Sequence, residues 1–150
     1  MKSLFEDTDI QEIKNRIDTL SENSTPSWGE MTVSQMLAHC QVPLRISLGD
    51  RVFTSKISGF KKFMFSLFKK TLYNDKPWKK NLPTAKELKI SDAKDFAEEK
   101  AKLLELIELF HQQRTKTDWP VHSVFGKFTP EQWGKMQYKH LDHHLTQFNT

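Results

Sequence analysis

Three times in this chain a threonine precedes a glutamine by three residues and opens a stretch whose apolar residues recur with a helical period. The pairs are Thr8 with Gln11, Thr32 with Gln35, and Thr129 with Gln132. In such a pair the hydroxyl accepts from the glutamine N–H and the glutamine side chain returns to the threonine N–H, so two donors orphaned at a helix start are satisfied. Behind the first pair come Ile10, Ile13, Ile17 and Leu20; behind the second, Val33, Met36, Leu37, Cys40 and Leu44, in a helix from Val33 to about Leu48. Behind the third, with Pro130 at the first helical position, Trp133, His140, Leu141, His144 and Phe148 share a face, and the helix runs to about Phe148. A fourth stripe, Phe96, Leu103, Leu104, Ile107 and Phe110, follows a cap at Ser91 or Asp92 and extends to about Gln113. Few glycines and no repeat or linker complete the pattern. The expectation is an all-α fold, a four-helix bundle with an additional short helix, forming a single domain over residues 1–150.

The segments between these helices carry their own signals. Residues 21–27 are a polar turn, and residues 49–59 read as a loop with Arg51 and Lys56. Pro43 is expected to kink the second helix or end its regular part, because it cannot donate to the His39 carbonyl. Residues 60–70, FKKFMFSLFKK, form an aromatic-rich amphipathic stretch between lysine pairs. Such a helix can lie on an anionic membrane. Because Phe60, Phe63, Met64, Phe65, Leu67 and Phe68 cover most of its circumference, burial plus a subunit contact is expected instead, without stable membrane association. Residues 73–89, with Pro77 and Pro83 and no period, read as a strap that crosses the bundle surface or belongs to a binding site.

The net charge of +4 is modest and spread along the chain, so nucleic acid is not an expected partner. The single cysteine, Cys40, excludes an intrachain disulfide, suits a reducing compartment and reads as a small core residue. Residues 1–9 lack the features of a signal peptide, and no run reaches the roughly 18 apolar residues of a membrane span, so a cytoplasmic location is expected.

The chemistry concentrates in the last helix. His140 and His144 lie one turn apart in an apolar stripe, the spacing that presents two nitrogens to one metal ion, while His143 points about 100° away. Such a pair is more often ordinary core, and two helical ligands hold a metal weakly, so a third is required. His39, at the border of the second helix's stripe, and His111, at the edge of the fourth, are rivals on spacing alone. Three neutral imidazoles leave coordination positions open and bring no anionic ligand, so a bound divalent ion would acidify a coordinated water, alcohol or thiol. Zinc, nickel, iron and copper all suit imidazole. There is no His-Glu-x-x-His arrangement, Gly-rich phosphate loop or Ser-centred nucleophile elbow, and no catalytic base is identified.

Three blocks, residues 28–39 (WGEMTVSQMLAH), 122–130 (HSVFGKFTP) and 133–148 (WGKMQYKHLDHHLTQF), resemble the DinB superfamily, and more narrowly a small branch of it classed as a domain of unknown function. The resemblance covers nearly the whole chain. It implies a four-helix bundle with an extra short helix, a divalent metal held by three histidines, and a homodimer. One ligand comes from the second helix and two from the last, which implies His39, His140 and His144 and favours His39 over His111. Better-characterised members are metal-dependent thiol transferases using low-molecular-weight thiols, and an isomerase using mycothiol, so a small-molecule substrate or thiol partner is implied. His122 stands where related sequences place a His-Pro pair, but Ser123 replaces the proline. The alternative is a non-catalytic binding or stress-response module with weak or incidental metal binding.

Overall fold

The computed structural model describes residues 1–52, 58–83 and 88–150. Among them are five α-helices and no strand: α1 Asp7–Asp18, α2 Val33–Leu48, α3 Gly59–Phe68, α4 Phe96–Gln112 and α5 Pro130–Gln147. A 3₁₀ turn, Lys69–Leu72, continues α3, and His122 pairs with Gly126 across a tight turn before α5. Lys56 of the expected loop, and residues 84–87 of the expected strap, lie outside the described residues.

Local chemistry explains where the helices begin. Both capping boxes, Thr32 with Gln35 and Thr129 with Gln132, are formed, and Pro130 opens α5. The expected box at Thr8 is not: Glu6 is the N-cap of α1 and gives no side-chain cap bond. Asp9 accepts the Ser3 N–H instead, at 2.8 Å, which folds the N-terminal segment over the helix start and draws Thr8 inside it. The fourth long helix starts later than Ser91 or Asp92. Asp95 caps it by accepting the Glu98 N–H at 2.8 Å, while Asp92 is paired with Lys94.

The apolar stripes converge on one core, in which Ile13, Ile17, Leu37, Ile107, Phe110 and Trp133 are fully buried. Each such side chain contributes about 1.5–3 kcal/mol by leaving water. Helix α2 packs on α4 and α5, and α1 packs on the same two. Pro43 does not end α2, which continues to Leu48 and closes at Gly49, where φ is +90°. The Pro43 carbonyl accepts from Gln137 Nε2 at 2.8 Å, stitching α2 to α5.

Helix α3 departs from expectation. Phe60, Phe63, Met64, Phe65, Leu67 and Phe68 are all exposed, so the helix is not part of the core. A helix apolar over most of its circumference reads as buried, but among the described residues α3 is attached through the turn that follows it and the contact of Phe65 with Phe125. No helix among the described residues is long and apolar enough to cross a membrane.

Candidate metal centre

The contact of α2 with α5 brings together His39, His140 and His144. Their ring centroids form a nearly equilateral triangle: 5.1 Å for His39–His140, 4.7 Å for His39–His144 and 4.8 Å for His140–His144. One ring nitrogen from each lies within 4.8 Å of the others, and all three side chains are buried. A divalent ion could be held by this set, which contains no carboxylate.

Two of the tautomers follow from hydrogen bonding. His39 Nδ1 lies 2.8 Å from the Leu88 carbonyl, and a carbonyl only accepts, so Nδ1 carries the proton. His144 Nδ1 lies 2.9 Å from Gln147 Oε1. The Gln147 amide nitrogen donates to the Trp28 carbonyl, which fixes the amide's orientation and makes Oε1 the acceptor for His144. Both rings therefore keep an unprotonated Nε2. His140 Nε2 is 3.2 Å from His39 Nε2, a separation that needs a proton or a cation between the two nitrogens. His140 Nδ1 is buried and has no hydrogen-bond partner among the described residues, so this ring lacks the outer support that the other two have. Outer partners fix the orientation of His39 and His144, as in histidine metal sites, and the donor set of the three rings fits a divalent ion.

Burial lowers the pKa of all three rings. His140 is held well below the ordinary imidazole range by burial and by the neighbouring histidines. His144 is lowered to about 3 by burial and His39, and His39 is lowered by burial. All three are therefore neutral near pH 7, the state in which imidazole binds metal.

The other histidines have different surroundings. His111 lies away from the cluster, with Nδ1 at 2.7 Å from the Leu4 carbonyl and Nε2 at 3.0 Å from Asp7, so both its nitrogens are engaged. His122 accepts the Val124 and Phe125 N–H groups at Nδ1, which shapes its own turn. His143 is half-buried between the rings of Trp28 and Trp78, at 5.9 and 5.6 Å, with its centroid 5.2 Å from that of His144. Asp142 faces α1 and pairs with Arg16 at 2.7 Å.

The described part of residues 73–89 lies beside the cluster. The Trp78 ring is 5.9 Å from His140, and its Nε1 donates to the Thr71 carbonyl. Buried Lys139 donates to Thr71 O, Asn74 O and Asn74 Oδ1 at 2.7–2.9 Å, clasping this segment to α5. Of these supporting groups, Gln147 alone had a local signal, three residues after His144 on the same helix. Leu88 acts through its backbone, and Trp28, Trp78 and Lys139 act across sequence distances that spacing does not reach.

A protein-family model described as a protein of unknown function (DUF1569) matches residues 2–150. No curated protein matches the chain, and no solved structure does.

Proposed function

Since this chain belongs to the DUF1569 family, whose function is unknown, we propose from its histidine cluster that it is a divalent-metal-binding helix bundle of the DinB type. His39, His140 and His144 hold the ion, and its remaining positions take a low-molecular-weight thiol or water. The observation that carries this reading is the pinning of the His39 and His144 Nδ1 protons by Leu88 and Gln147, which leaves both Nε2 atoms unprotonated in a buried, carboxylate-free cluster. A bound zinc, nickel or iron ion without anionic ligands would strongly acidify a coordinated thiol or water. Trp28, Trp78 and His143 give the cluster an aromatic flank, and the Lys139 clasp holds the neighbouring segment in place. In this reading α1, α2, α4 and α5 are the four helices of the bundle and α3 is the additional short one. A homodimer and a cytoplasmic location, both expectations from the sequence, belong to the same reading.

Elemental analysis of tag-free protein, never exposed to nickel resin, tests it. We expect a transition metal at about one ion per chain, and loss of that metal in His144→Ala. A native protein that stays metal-free after incubation with zinc, nickel or iron salts overturns the reading.

One observation favours a second reading, a non-catalytic binding or stress-response module. The three histidines are only 3–8% exposed, so a substrate must displace neighbouring groups to reach them. Turnover of electrophiles with a panel of thiols, abolished by chelation, separates an enzyme from such a module.

A further inference from the structure

Helix α3 presents six large apolar side chains, Phe60, Phe63, Met64, Phe65, Leu67 and Phe68, each 41–75% exposed. A contiguous patch of this kind marks an interaction surface. Its charge setting identifies the partner. Residues 51–80 contain nine lysines and arginines and one acid, Asp75, for a net charge of +8 in a chain whose total is +4. The other 120 residues therefore carry −4. The chain's positive charge is concentrated in the sequence segment that contains its exposed aromatic helix.

We propose that α3 and its basic flanks dock this protein on an anionic phospholipid surface. Anionic headgroups complement the lysines, and the acyl boundary just below them takes the phenylalanines. At ten residues, α3 is about 15 Å long, too short to span a bilayer, so it lies in the interface. It is joined to the body at its C-terminal end, where Lys69 Nζ donates to the Lys127 carbonyl and lies 4.3 Å over the Phe128 ring. Lys70, Lys76 and Lys79 remain exposed. A second copy of the chain fits this face poorly, because α3 against α3 would bring two +8 segments together. The proposal is independent of the metal-site reading.

Co-sedimentation of the full chain with vesicles tests it, using phosphatidylcholine alone and phosphatidylcholine mixed with phosphatidylserine at about three to one. We expect binding to the anionic vesicles at low salt, weakening as salt rises, and little binding to phosphatidylcholine. Phe60→Glu/Phe63→Glu should lower the affinity at least tenfold with an unchanged helical circular-dichroism signal, since both side chains lie outside the core. Lys70→Gln/Lys76→Gln/Lys79→Gln should lower it about a hundredfold. Failure to bind anionic vesicles, or binding indifferent to lipid charge and to the phenylalanine changes, overturns the proposal. A solution dimer split into monomers by Phe60→Glu/Phe63→Glu also overturns it, assigning the face to a second copy.

Discussion

Gln147 accepts the Nδ1 proton of His144 at 2.9 Å while its amide nitrogen donates to the Trp28 carbonyl. The loop before α2 thereby sets the orientation of a ring on α5. Gly29, next to Trp28, has φ of +81°, and a Cβ there would come within 2.7 Å of Gln147 Nε2. Gln147→Leu should lower metal affinity roughly ten- to a hundredfold without loss of helix. Gly29→Ala should act in the same direction by displacing the amide. Competition titration against a chromogenic zinc chelator measures both, and wild-type affinity in Gln147→Leu would show that this bond does not orient the ligand.

The metal-free protein should lose stability as pH falls below 6.5. Burial, with the positive charge of Lys69 adding to it, lowers His122 to about 4, and burial lowers His144 to about 3. Below the ordinary value of 6.5 the unfolded chain takes up protons that these folded rings refuse, so stability is complete above that value and falls as pH drops toward theirs. Each such ring costs about 1.4 kcal/mol per pH unit inside its window. Carboxylates, with ordinary values of 3.8–4.5, contribute little between pH 6.5 and 5. The urea midpoint in the presence of chelator should therefore be flat from pH 8 to 7 and fall clearly by pH 5. A midpoint unchanged over that range would contradict the lowered values.

Gly134→Ala should destabilise the protein, although alanine is the better helix former by about 1 kcal/mol. A Cβ at this position in α5 would meet Ser3 Oγ and come within 2.7 Å of Phe5 Cδ2. Leu4 N donates to the Gly134 carbonyl, and Phe5 stacks on Phe110 with centroids 4.8 Å apart, so the N-terminal segment has little freedom to retreat. Overpacking of this sort costs about 1–3 kcal/mol. Urea unfolding of the variant measures the balance, and a raised midpoint would show that the segment yields easily.

Cys40 should be inert in the folded protein. It is 1% exposed, its Sγ donates to Met36 Sδ at 3.6 Å, and burial pushes the thiol pKa up. Ellman's reagent should find no fast-reacting thiol in the native state and the full single thiol in urea. Rapid native reaction would show that the thiol is accessible and not locked in the core.

The sequence was most legible where the signal is local. The boxes at Thr32 and Thr129 locate α2 and α5 because both partners lie within one turn, and His140 with His144 is readable as a pair for the same reason. Spacing could not choose between His39 and His111, since each borders an apolar stripe. The structure brings His39 to the pair and engages His111 with Leu4 and Asp7, contacts made across more than 100 residues of sequence. Asp95 is the cap of α4, with Glu98 three residues on, but Ser91 and Asp92 offer a similar start in the sequence. For α3, a pattern apolar over most of the circumference does not say which surface covers it, and within the single chain its phenylalanines are exposed.

The joining of residue 39 to residues 140 and 144 also sets an order of events during synthesis. His39 leaves the ribosome about a hundred residues ahead of its neighbours in the cluster, and Gln147 follows later still. Until α5 is made and docked, an ion would meet a solitary imidazole on α2. Contacts so distant in sequence are slow to close. Any loading of the cluster would therefore wait for α5 to dock and could not guide the folding of α2.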